Sequence, residues 1–169
     1  MKSIDIICLG RAAVDFYGQQ IGSSLENMGS FAKYLGGSSA NIAYGCSKLG
    51  LSSAMLTRVG NEHMGRFVRN ELESVGVDTS HVITDKKRLT GLVVLGIQDK
   101  ETFPLIFYRK DCADMAISEE DFTKEFIASS RALLITGTHF SSDKTYQTSM
   151  KAIEYAKESD TQVIVDIDY

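Results

Sequence analysis

Short apolar runs alternate with helix-period segments along this chain, and a glycine stands at nearly every junction. That pattern constrains the fold more than any other feature of the sequence. Ile4–Leu9 reads IDIICL and stops at Gly10, as a strand buried on both faces would. Ser38–Leu49 carries Ala40, Ile42, Ala43, Cys46 and Leu49 at helical spacing, with Gly50 as its C-terminal stop. Ala54–Val59 is a second predicted strand, ended by Gly60. His63–Val75 is an amphipathic helix whose stripe is Met64, Phe67, Val68, Leu72 and Val75, ended by Gly76. Arg131–Thr136 is a strand ended by Gly137, Asp143–Glu158 is a helix, and Gln162–Ile167 is a last strand. Strands alternating with helices predict an α/β fold, a mostly parallel sheet flanked by helices on both faces.

The middle of the chain breaks this rhythm. Leu89–Ile97 and Thr102–Arg109 are β-rich and separated by Gln98-Asp99-Lys100-Glu101, a hairpin signal with a polar tip. This hairpin is expected to stand off the main sheet. Ser118-Glu119-Glu120-Asp121 has the spacing of a capping box with Asp in the place of Glu. At the far end, Val163–Ile167 is strongly apolar and no helix follows to cover it. A parallel strand is ordinarily covered on both faces. The expectation is therefore that these residues are the N-terminal part of something longer, with the C-terminal half absent.

Composition removes several function classes. Lys and Arg total 18 against 22 Asp and Glu, a net charge of −4, and no dense basic cluster occurs. Duplex nucleic acid binding rests on neutralising phosphates, so nucleic acid is not an expected partner. Apolar runs such as Leu92–Ile97 are far too short to span a bilayer, so no membrane role is expected. The N-terminus lacks the pattern of a signal peptide. Cys8, Cys46 and Cys112 show no metal-ligand or redox-motif spacing and read as free thiols. A cytoplasmic protein with no resident metal site is the expectation.

In open α/β sheets, ligands bind beyond the carboxyl ends of the strands. The positions so selected are Gly10–Asp15, Gly137-Thr138-His139, and Asp166 with Asp168. The segment Gly36-Gly37-Ser38-Ser39-Ala40-Asn41 joins them. Paired glycines before a helix allow close approach to backbone, and the helix start offers free N–H groups. Asn41 can donate and accept, which suits a polyhydroxy ligand. A plain glycine turn with a serine cap would show the same composition. Asp15 would accept from two sugar hydroxyls, or be a solvated loop carboxylate. Arg109, at the hairpin's end, could hold a carboxylate through two N–H groups, or be an exposed strand-end arginine. His139 is a polar site residue or, as the commoner fate, a hydrogen-bonded structural histidine. No Walker-type phosphate loop, no Gly-x-Gly-x-x-Gly and no Ser-His-Asp order is present.

Gly36–Ala43, followed by six residues to Gly50 and nine to Gly60, resembles the N-terminal signature of the ribokinase-like (PfkB-type) carbohydrate kinases. Ser39 departs slightly, as the family more often has Gly, Ala or Pro there. Phe107-Tyr108-Arg109 leading into Cys112-Ala113-Asp114-Met115 is similar to the acid-contacting segment of keto-deoxy sugar acid kinases. Gly10–Tyr17, Gly36–Ala43 and Asp166–Tyr169 look most like the branch that phosphorylates 5-dehydro-2-deoxygluconate in bacterial myo-inositol breakdown.

The resemblance implies a ribokinase-like core with a small β-hairpin lid, its segments about 12–35 and 88–110. It implies that Asp15, Gly36, Gly37 and Asn41 hold the sugar, that Tyr108 and Arg109 contact the acid, and that Asp168 lies toward the phosphates of ATP with Mg2+. Gly36-Gly37 would be the hinge on which the lid closes. The family's Gly-Ala-Gly-Asp signature, which carries the catalytic Asp, is absent from these residues, so no catalytic residue is assigned and this chain alone is expected to be inactive. A homodimer through the lid is a further implication. The alternatives are a 2-keto-3-deoxygluconate kinase, a fructokinase, or a non-catalytic sugar-binding or interaction fragment.

Overall fold

The structure, a computed structural model, describes residues 2–167. Its centre is a five-stranded sheet made of β1 (Ile4–Leu9), β4 (Ser53–Gly60), β5 (Val82–Asp85), β8 (Ser130–Thr136) and β9 (Gln162–Asp166). The order is β5-β4-β1-β8-β9 and every pairing is parallel. Side chains alternate across β1. Ile6 and Cys8 join one core cluster, together with Met55, Val68 and Leu72, while Ile7 and Leu9 join the other, with Leu56, Leu133 and Ile135. Helices α1 (Ser38–Lys48) and α2 (His63–Ser74) cover the first face. Helices α3 (Lys124–Ala128) and α4 (Asp143–Glu158) cover the second. Two covered faces explain why the strands read as continuous apolar runs and not as alternating ones.

A second sheet holds four strands in the order β3-β2-β6-β7. Its strands are β2 (Ala13–Gly18), β3 (Phe31–Gly36), β6 (Gly91–Leu95) and β7 (Leu105–Tyr108). The β2/β3 and β6/β7 pairs are antiparallel, and they join through a parallel β2–β6 ladder. The expected hairpin is therefore half of a larger sheet. Strands β2 and β3 escape a periodicity reading because Asp15, Lys33 and two glycines interrupt their apolar pattern. Strand β5 escapes it by being four residues long.

The second sheet does not stand clear of the core. Val14, Phe16, Leu35 and Leu92, on one of its faces, pack into the cluster under α1 and α2. Val14 is fully buried there, worth roughly 1.5–3 kcal/mol, and the three partly buried side chains contribute less each. The other face carries Asp15, Tyr17 and Tyr34, with Asp15 opposite Tyr34 on β3 and Val93 on β6. The residues after β8 form a short 3-10 turn, Gly137–Phe140. Two more, Ala113–Ala116 and Glu119–Asp121, lead from β7 toward α3. In the second of these Asp121 accepts from the Ser118 N–H, as the capping-box spacing predicts, and Arg58 holds the same carboxylate from β4. The terminal strand β9 is an edge with Ile164 and Val165 exposed.

Burial makes a direct test. Leu56 is fully buried and Leu49 is 86% exposed. Leu56→Ala should lower the free energy of unfolding by about 2–5 kcal/mol, from lost burial and the cavity left behind. Leu49→Ala should change it by no more than about 0.5 kcal/mol. Denaturant titration of both variants checks this, and equal effects would contradict the arrangement of the core.

Candidate functional site

Gly36 and Gly37 are the joint between the second sheet and the core. Gly36 ends β3 opposite Ala13, and Gly37 caps α1 with φ 91°. The Asp15 carboxylate lies against the Gly36 backbone so closely that a β-carbon there would overlap Oδ1 and Cγ. A β-carbon on Gly37 would run into the Arg11 carbonyl and the Ala12 Cα, and its φ lies where L side chains are strained. Gly37 is therefore required by close approach to backbone, while Gly36 leaves the room that the Asp15 carboxylate occupies. They let β2 and the start of α1 meet, and they bring Asp15 within one wall of Asn41.

Asp15 and Asn41 line a single cavity of about 700 Å³, together with Tyr17, Gln19, Tyr34 and Ile97. The cavity is bounded by the Asp15 face of the second sheet and by the first turn of α1. Oδ1 of Asp15 is buried and has no hydrogen-bond partner among the described residues. Burial raises the Asp15 pKa above its ordinary value, and the nearby Arg109 guanidinium offsets part of that rise. Arg109 follows β7 and stacks its guanidinium 4.9 Å from the centre of the Phe107 ring. An acceptor-only carboxylate and an amide thus line one cavity, with a guanidinium in electrostatic reach of the carboxylate.

Tyr108 is not brought there. It pairs with Leu92, whereas Phe107 pairs with Val93, the partner of Asp15. Alternation along the strand turns Tyr108 to the opposite face, where it lines a different cavity with Lys87, Arg88 and Thr90. Phe107, two residues before Arg109, is the β7 aromatic side chain next to Arg109 on the Asp15 face. Asp168 lies outside the described residues.

Sequence reasoning missed a set of polar contacts at the same strand ends. Ser38 and Ser39, at the start of α1, share hydroxyl contacts of 3.0 Å each with Thr136 at the end of β8, and Thr138 lies 3.3 Å from Ser38. Arg11, after β1, donates from Nε to Asp114 Oδ2 at 2.5 Å. His139 is fully buried, and its pKa is pushed down to about 4, first by burial and then by the Arg11 charge. The histidine is interior, as the commoner reading had it. It is not hydrogen-bonded as that reading supposed, because neither ring nitrogen has a partner among the described residues. The three cysteines are free. No group of three or more His, Cys, Asp or Glu among the described residues could hold a metal ion. No helix among them is long and apolar enough to cross a membrane.

Comparison with known proteins decides what this arrangement belongs to. The family model for the pfkB carbohydrate kinases matches residues 3–169. The chain belongs to that family. It is 36% identical to a protein named 5-dehydro-2-deoxygluconokinase from Halalkalibacterium halodurans, over 99% of this chain and 51% of that protein. A PfkB protein from Polaromonas sp. JS666 superposes with a TM-score of 0.92 at 26% identity, covering 99% of this chain and 56% of that one. A sugar kinase from Pyrococcus horikoshii, solved with ATP, superposes at 0.88 with 25% identity, covering 97% of this chain and 53% of that one. The chain thus spans about half the length of the relatives it matches. The family's fold is the expected ribokinase-like α/β architecture.

Asp15 gives a prediction with a sign. Its pKa is raised in the folded protein, so ionising it opposes folding. That cost is absent below the ordinary carboxylate pKa and is present in full above the raised one. Asp15→Asn should therefore raise the thermal unfolding midpoint at pH 7, and the gain should vanish as the pH falls through the carboxylate range. Calorimetry across pH 3–7 checks it; a lower midpoint at pH 7 would show that the carboxylate is paired and stabilising.

Proposed function

We propose that this chain supplies the sugar-binding half of an ATP-dependent kinase acting on a keto-deoxy sugar acid, with 5-dehydro-2-deoxygluconate as the substrate. The observation that carries the reading is the cavity holding Asp15 and Asn41, with Arg109 electrostatically coupled to Asp15. Vicinal hydroxyls need an acceptor and a group that both donates and accepts; Asp15 and Asn41 are those groups. The substrate's carboxylate needs a fixed cation, and Arg109 presents a planar one that the Phe107 ring backs. The name carried by the Halalkalibacterium relative supports the acid over a neutral ketose.

ATP would supply the phosphoryl group, with Mg2+ neutralising its charge, and the ATP-bound Pyrococcus structure supports that cofactor. The residues of this chain bind and orient the sugar. Asp15, Asn41 and Arg109 fix it at three points, and positioning is a large share of catalysis in phosphoryl transfer. The second sheet acts as the lid over that sugar, hinged at Gly36-Gly37, and closure would exclude water as a competing acceptor.

Kinetics of the full-length protein test this. Arg109→Ala should raise KM for 5-dehydro-2-deoxygluconate about 10- to 100-fold, the worth of a charge-assisted bond, while leaving KM for fructose within about threefold. Equal losses on both substrates would remove the carboxylate role and favour a neutral-sugar kinase.

The lid also suits self-association. Strand β7 is an edge, and Leu105, Ile106, Phe107 and Tyr108 are all exposed on it. We read this edge as a dimer contact between two copies. Sedimentation of the full-length protein should give a dimer that Ile106→Lys converts to monomer; a wild-type monomer at micromolar concentration would end this reading.

A further inference from the structure

We propose that Arg11 is a positioning residue for Arg109, acting through its buried ion pair with Asp114; the proposal rests on the sugar-acid reading above. Arg11 is 7% exposed and Asp114 1%. Burying such a pair costs several kcal/mol per ion before the mutual attraction is counted, and apolar side chains of similar volume often serve stability as well. Its place in the chain supplies the reason for it. Arg11 lies four residues before Asp15, in the link from β1 to β2. Asp114 lies five residues after Arg109, in the turn that follows β7. The pair therefore ties the segment that carries the hydroxyl-binding carboxylate to the segment that carries the carboxylate-binding cation.

The packing between them is continuous. The Gly91 backbone on β6 has the Arg109 Cγ, the Cys112 Sγ and the Ala13 Cβ within 3.8 Å of where a side chain would begin. Cys112 donates its thiol to the Tyr108 carbonyl at 3.3 Å, and both Arg11 and Arg109 act on that thiol electrostatically. Two guanidinium groups thus share one small region, and Asp114 neutralises the inner one. Without Asp114 the inner cation would repel the outer one. His139 is buried beside the pair and uncharged at neutral pH, so it adds no third cation.

The tie is also narrow. Arg11 bonds Asp114 through Nε alone, while Arg11 Nη2 and Asp114 Oδ1 are buried with no partner among the described residues. A pair held by one bond and not by a two-pronged fork should release its loop when that bond is lost.

The experiment uses the full-length protein with Arg11→Met, Arg11→Lys and Asp114→Asn. Amide hydrogen exchange reads the loop without any substrate, and steady-state kinetics with 5-dehydro-2-deoxygluconate reads the site. Arg11→Met and Asp114→Asn should speed exchange selectively across residues 109–116. Both should raise KM about tenfold with kcat changed by less than about threefold. Arg11→Lys should recover part of each effect. Unchanged exchange at 109–116, or loss of kcat with KM intact, would overturn the positioning role. So would a fall in thermal midpoint with faster exchange spread evenly over the chain in all three variants. If the wild-type protein does not phosphorylate the acid, the substrate reading fails by itself, and the exchange pattern decides whether Arg11 holds the Arg109 loop.

Discussion

The chain closes tightly on itself at Gly36-Gly37, and the candidate site depends on that contact. On one side the Asp15 carboxylate presses against Gly36; on the other the Arg11 carbonyl presses against Gly37. A methyl group at Gly37 would push the Arg11–Ala12 backbone before β2 away from the start of α1, and one at Gly36 would displace the Asp15 carboxylate. The cavity that Asp15 and Asn41 share would then open, because its two walls are those elements. Gly37 adds a conformational demand, since its φ of 91° is what turns the chain out of β3 and into the helix. One dipeptide thus joins two sheets, caps a helix and sets the distance between the two groups best suited to sugar hydroxyls.

Charge is arranged around that joint with equal economy. Asp15 lines the cavity with Arg109 in electrostatic reach, Arg11 and Asp114 are buried as a pair, and the four formal charges sum to zero. A low-dielectric region strengthens every interaction inside it and penalises any group left alone. The Asp15 carboxylate shows this, because burial raises its pKa although Arg109 pulls the other way. Such a carboxylate is held ionised at some expense in stability. Functional sites commonly carry tension of this kind.

The α/β core was legible because its strands are buried on both faces. Ile4–Leu9 and Asp143–Glu158 have the same limits in sequence and structure. The second sheet was only half legible. Strand β7 shows as an apolar run, but β2 carries Asp15 in its middle and β3 carries Lys33, so neither alternates cleanly. Those interruptions mark the places where the strand meets a cavity or solvent. Asp15 and Asn41, picked out by residue chemistry and by family resemblance, do line one cavity in the structure, with Arg109 in electrostatic reach of Asp15. Tyr108 could not be placed, since its face depends on the β6–β7 register, and a shift of one residue would have exchanged it with Phe107. The Arg11–Asp114 pair was also hidden, because 103 residues separate its partners.

By itself, then, the sequence determined four of the five strands of a doubly covered sheet, where glycine ends its elements, and which residues have chemistry suited to a sugar. Those are local properties, carried by apolar periodicity and by the steric freedom of glycine. Tertiary structure alone decided the order and pairing of β2, β3, β6 and β7 in the second sheet, that Phe107 and not Tyr108 shares the Asp15 face, and that His139 is buried within electrostatic reach of Arg11. Each of these depends on strand register or on long-range closure. Neither leaves a periodic trace in the chain, because the energy that selects them comes from contacts between residues far apart in sequence.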